Sequence, residues 1–204
     1  MSGSGDIKKS WQEYDITVLR TVPPDPDVPL PGAILHEHIN EGGTAYPSVT
    51  GNTDRLGWTF TALSSYTLSY IRLQLFHQDD RWIGSPYVSI ANATGDFPVG
   101  SDLAYAARSH ADLTYGAPGF WMGFTLDTPI NIIIGQRYTI LLRNVEAEDT
   151  GWENISWKID NVLPTTPAGG VYVYTDDDGV SWGYGTDFGA IATACLMFEC
   201  WEYE

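Results

Sequence analysis

Positive charge is scarce in this chain. Ten Lys and Arg stand against 26 Asp and Glu, for a net charge of −16. Phosphate recognition needs a basic footprint, so this balance excludes a nucleic-acid binder. It also disfavours docking on anionic lipid. Cysteine is nearly absent: Cys195 and Cys200 are the only two, and they share one apolar run. If that run is extended, their Cα atoms lie about 16 Å apart, beyond the roughly 7 Å that a disulfide tolerates. They read as small buried hydrophobes, and a chain without bridges fits a reducing cytoplasm. Long apolar runs are missing, so no membrane span is expected. Residues 1–9 lack the apolar core of a signal peptide, and the expectation is synthesis without export. Charged residues make up only 18% and hydrophobic ones 43%, which marks a globular chain and not an acidic disordered one. A length of 204 residues suits one domain, with or without an arm.

Helical periodicity is missing too, and period-two alternation takes its place. Ile71, Leu73 and Leu75 alternate with Arg72 and Gln74, and Val88 and Ile90 with Tyr87 and Ser89. Phe120, Met122, Phe124 and Leu126 share one face. Tyr138, Ile140 and Leu142 form another row, as do Ile155, Trp157 and Ile159. Val171 and Val173 follow, and a last run covers Ile191 to Tyr203. Such alternation buries one face of a strand and wets the other. Gly, Pro, Asn and Asp clusters separate the runs. The expected fold is an all-β sandwich of jelly-roll type. Five prolines crowd residues 22–31, and proline fixes φ and stiffens the chain. Residues 1–31 are therefore expected to form an N-terminal arm with a Pro-rich connector, and residues 32–204 the sandwich domain.

The sharpest local motif is Thr175-Asp176-Asp177-Asp178-Gly179-Val180-Ser181-Trp182. It fits the Asp-box pattern S/T-x-D-x-G-x-S/T-W, a hairpin turn repeated in sialidase propellers. Asp177 is expected to accept backbone N–H groups across the turn, Gly179 to take positive φ, and Trp182 to pack on a neighbouring strand. The role so read for Thr175, Asp177, Gly179, Ser181 and Trp182 is structural. The rival reading is calcium, held by Asp176, Asp177 and Asp178.

Other constellations are weaker. His36-Glu37-His38 with Glu41 has metal-ligating residue types, but the spacing misses the cupin pattern H-x-H-x(3,4)-E, and no His follows His110. Glu146, Glu148, Asp149 and Glu153 cluster between two strands, as an acidic loop of such a chain would, without the strand pattern of sandwich glycosidases. No nucleophile elbow, P-loop, zincin or C-x-x-C motif is present. No enzyme is expected. Aromatics are abundant, with 8 Trp and 12 Tyr. Strand parity turns Tyr70, Tyr87, Trp121, Tyr172 and Tyr174 outward, and Trp82 and Trp152 fall in loops. Exposed Trp and Tyr stack on sugars or anchor protein contacts. Tyr87, Trp121, Tyr172, Trp82 and Trp152 are the candidate contacts for a partner protein or a glycan.

The order of features resembles the choice-of-anchor R domains, over about residues 50–204. The residues that carry the likeness are the Pro98-Val-Gly100 after a strand, the Gly135-Gln-Arg-Tyr138-Thr-Ile140 strand, and the Asp177-x-Gly179-x-Ser181-Trp182 turn. The resemblance implies a non-catalytic jelly-roll module, similar to carbohydrate-binding modules, of microbial surface proteins or phage virions. It carries over no ligand and no binding residue. Two functions then compete. One is a structural or attachment protein of a phage-like virion (capsid decoration, head fibre or tail component), made in the host cytoplasm and placed on the outer face of the particle by its acidic surface. The other is a carbohydrate-binding module of a cell-surface or secreted protein. Its expected partners are other virion or surface proteins or a glycan; a homo-oligomer is compatible with either.

Overall fold

The computed structural model describes residues 25–39, 47–77, 84–145, 154–160, 170–185 and 195–203. The described part is an all-β sandwich. Its strands are β1 (Ile34–Ile39), β2 (Ser48–Val49), β3 (Arg55–Thr61), β4 (Tyr66–His77), β5 (Ser85–Thr94), β6 (Phe97–Ala107) and β7 (Phe120–Ile132). They continue with β8 (Arg137–Val145), β9 (Ile155–Trp157), β10 (Ile159–Asp160), β11 (Val171–Thr175), β12 (Gly183–Tyr184), β13 (Cys195–Leu196) and β14 (Phe198–Glu202). Among the described residues no helix is long and apolar enough to cross a membrane.

Strand β4 is the spine of the first sheet. Its residues Tyr70 to Leu73 pair with β7 on one edge and with β14 on the other. Further along that second edge β9 takes over from β14, at Leu75 to His77. The two diverge where Lys158 N–H donates to Gln74 O, and beyond the fork β10 pairs with β13. Strand β1 lies outside β14, and β2 outside β9. The second sheet is antiparallel throughout, in the order β12-β11-β3-β8-β5-β6.

Alternation supplies the core. Ile71, Leu73 and Leu75 of β4, Met122 and Phe124 of β7, and Phe198 and Cys200 of β14 point inward from the first sheet. They meet Leu56, Trp58 and Phe60 of β3, Ile140 and Leu142 of β8, and Val88 and Ile90 of β5. Each such side chain stabilises the fold by about 1.5–3 kcal/mol. Phe60 and Phe198 touch across the layers, with ring centroids 5.7 Å apart. A register shift between Leu68 and Tyr70 keeps both Leu68 and Ile71 in the core although they are three residues apart; a bulge of this kind resets strand parity. Cys195 and Cys200 are buried and form no disulfide with each other.

The end of the Pro-rich connector is strapped onto the outer face of the first sheet. Asp25 to Val28 form a turn closed by Val28 N–H donating to Asp25 O at 3.1 Å. Asp27 Oδ1 then accepts from Gly123 N–H at 2.8 Å and from Arg108 Nη1 at 3.0 Å. Tyr70 Oη donates to Pro26 O at 2.7 Å. Position 123 has to be glycine, because a Cβ there would collide with Tyr70 Oη and Pro26 O. The outer face of the second sheet is covered differently, by the tip of its own β5–β6 hairpin. Thr59 Oγ1 on β3 donates to Asp96 O at 2.8 Å, Arg137 on β8 pairs with Asp96 at 3.0 Å, and Tyr184 Oη on β12 donates to Asp96 Oδ2 at 3.1 Å.

Candidate functional site

The Asp-box residues form a closed turn after β11. Asp177 Oδ1 accepts from Ser181 N–H at 2.9 Å and from Thr175 Oγ1 at 2.5 Å, and Asp177 Oδ2 accepts from Ser181 Oγ at 2.6 Å. Gly179 N–H donates to Thr175 Oγ1 at 3.2 Å. Gly179 has φ +88°, and Asp178 before it has φ +60°. The donors Ser181 and Thr175 hold the Asp177 carboxyl down to a pKa of about 2. Trp182 is half-buried, and its Cζ2 lies 3.5 Å from where a Gly179 Cβ would stand. The proposed calcium carboxylates are not pooled: both oxygens of Asp177 serve the turn, and Asp178 pairs with Arg55. Among the described residues no group of three or more His, Cys, Asp or Glu is placed to hold a metal ion. His36, Glu37 and His38 belong to β1, and Glu41 lies outside the described residues.

The aromatic candidates do not make one patch. Trp121 is on the outer face of the first sheet and Tyr87 on that of the second. Trp82 and Trp152 lie outside the described residues. Tyr172, expected outward, is only 6% exposed and points inward. It pairs with Trp58 in register, and a Cβ on Gly185 would collide with its ring. Burial pushes the Tyr172 phenol well above its usual pKa. The alternation Val-Tyr-Val-Tyr allows either parity. The glycine at position 57 decides it, because Val173 fills the space that Gly57 leaves on the outer side. Tyr70 does lie on an outer face, but it is buried beneath Pro26. Tyr174 is partly buried against the core.

Around the two remaining rings the structure builds similar arrays. On the first sheet Arg72 Cζ stands 5.4 Å over the Trp121 ring, and Arg72 Nη1 pairs with Glu199 at 2.8 Å. Trp201 Nε1 donates to the same carboxylate at 3.1 Å. On the second sheet Arg143 Cζ lies 5.2 Å from the Tyr87 ring, and Arg143 Nη2 donates to both oxygens of Asp102, at 2.9 and 2.7 Å. Tyr105 stacks on Tyr87 at 5.2 Å, with planes 12° apart. Sequence reasoning missed Arg72, Glu199, Trp201, Arg143, Asp102 and Tyr105. The usable signal was an arginine at an outward position of an alternating strand, since a cation there needs a carboxylate or a ring. All five described arginines are paired with carboxylates, so the described surface presents no basic patch. No protein-family model matches the chain, and no curated protein matches its sequence.

Proposed function

We propose that the chain is a non-catalytic structural or attachment protein of a phage-like virion, made in the host cytoplasm, that binds other virion proteins through its arm and one sheet face. The strap is the observation that carries this reading. Asp27 and Tyr70 fix where the preceding 24 residues join the body, on the outer face of the first sheet. Trp121 lies two residues along β7 from Gly123, and Trp201 pairs directly with Tyr70. An arm rooted among half-buried rings brings both to the same neighbour, and tethering of this kind raises the effective concentration of the second contact. The strand order supports a jelly roll. With the two- and three-residue strands and the added edge strand β11 set aside, the sheets run β1-β14-β4-β7 and β3-β8-β5-β6, two interleaved four-stranded sheets of the kind that a doubled Greek key produces.

The test is particle incorporation. Deleting residues 1–24 leaves the strap and the body intact, so the variant should keep the parent Tm while its incorporation into purified particles falls about ten-fold or more. Normal incorporation of the deletion, or absence of the parent protein from particles, ends the virion reading. A glycan array run on the same proteins decides the sugar-binding alternative. A hit abolished by Trp121→Ala would favour it.

A further inference from the structure

One end of the sandwich carries an aliphatic tip. The β3–β4 loop presents Leu63, 57% exposed, and the β7–β8 turn presents Ile133 and Ile134, at 47% and 61%. The loops are laced together. Ala62 N–H donates to Gln136 O and Gly135 N–H to Ala62 O, both at 2.9 Å, and Ile134 N–H donates to Ser65 Oγ at 2.9 Å. Ile133 N–H donates to Tyr138 Oη at 3.1 Å, and Leu63 N–H to Glu37 Oε1 at 2.8 Å. The tip is therefore pre-organised, and docking it forfeits little conformational entropy.

Glu37 is a second and independent sign. It is 2% exposed and lies opposite Cys200 in register. Burial raises its pKa, against the favourable Leu63 N–H and the neighbouring His36 and His38. A leucine at that core position would be the ordinary choice. A fold that keeps a poorly solvated carboxylate and uses it to hold one backbone N–H of a surface loop is favouring the geometry of that loop over stability.

We infer that Leu63, Ile133 and Ile134 form a rigid anchor that inserts into an uncharged, apolar socket on a partner protein. Residues 62–65 and 133–136 contain no ionisable side chain, in a chain of −16, so the matching surface is uncharged too. A bilayer is a poorer occupant. The two loops carry no basic group for the headgroups and no Trp or Tyr for the interface. A second copy is also poorer, because two chains of net charge −16 repel one another. Small rigid clusters of this kind act as the energetic centre of a larger contact. The inference deepens the attachment reading, and its test stands apart from it.

The experiment places a photo-crosslinker, Leu63→benzoylphenylalanine, in the full chain in cells that naturally make it. Val180→benzoylphenylalanine is the control, at a lone exposed position (86%) on the Asp-box turn. The expected result is one polypeptide cross-linked from position 63 and not from 180, through a segment without charged residues, with a yield that falls about ten-fold when Ile134→Ser is added. Cross-links to lipid or to a second copy, equal yields from both positions, or none at all overturn the inference. If the partner lies outside any particle, the anchor stands and the virion reading falls.

Discussion

The two outer faces of the sandwich solve one problem in two ways. Each carries an arginine, a carboxylate and aromatic rings. On the first sheet the Arg72–Glu199 pair lies between Trp121 and Trp201, beside a strap brought from another part of the chain. On the second sheet Arg143, Asp102, Tyr87 and Tyr105 pack on one another, and the cover is a hairpin of the sheet itself. A locally covered face is completed by its own strands. A face covered from a distance can be uncovered, and that would free its half-buried rings Trp121 and Trp201.

Two glycines test this most severely. Gly123→Ala should expel Pro26 and Asp27 and destabilise the protein by about 3 kcal/mol, a fall in Tm of about 6–12 °C. Gly57→Ala, on the second sheet, meets only side-chain methyls of Leu141, Thr139 and Val173 at 2.9 Å and should cost about 1 kcal/mol. Limited proteolysis should cut near residue 27 in the first variant only. Equal Tm losses would break the distinction.

The ion pairs come next. Arg72→Ala strands Glu199, whose side chain is only 9% exposed, and should cost about 3 kcal/mol in urea denaturation. Arg143→Ala leaves Asp102, 20% exposed, within reach of water, for about 1 kcal/mol or less.

Carboxylates extend the comparison with smaller effects. Glu37, on the edge strand of the first sheet, has a raised pKa, so its charge destabilises the fold above the ordinary value of 4.5. Glu37→Gln should therefore raise Tm at pH 7, and the gain should vanish below about pH 4.5, where both folded and unfolded forms hold the proton. Asp177, on the hairpin of the second sheet, behaves in the opposite sense. Its contribution is present above the ordinary 3.8 and is lost as pH falls through about 2. The Tm gap between the parent and Asp177→Ala should narrow over that range, and a gap independent of pH would show that the turn is held by something else.

Legibility in the sequence followed the reach of each interaction. Alternation in β4, β5, β7 and β8 was plain because one face of each strand meets the core. The Asp box could be read because its side-chain bonds join residues no more than four positions apart. Tyr172 was misplaced because the deciding residue, Gly57, is more than a hundred positions away. The two ring–arginine arrays were hidden for the same reason. Arg72 and Glu199 are 127 residues apart, and Arg143 and Asp102 are 41. The aliphatic tip left no trace, since exposed Leu and Ile in a loop look like any others until two loops are laced together.

The pairing of β1 with β14 has a temporal consequence. Ile34 lies beside Glu202 in the register, so among the described residues the first strand pairs with nothing until the last has been made. At ribosomal rates of about 5–20 residues per second, β1 waits roughly 10–30 s. Through that interval β1 lacks its only partner among the described strands, and the β14 edge of β4 is open as well. Closure then joins the most distant parts of the chain, the slow class of contact. The nascent molecule is vulnerable to edge-to-edge association until this last seam is shut.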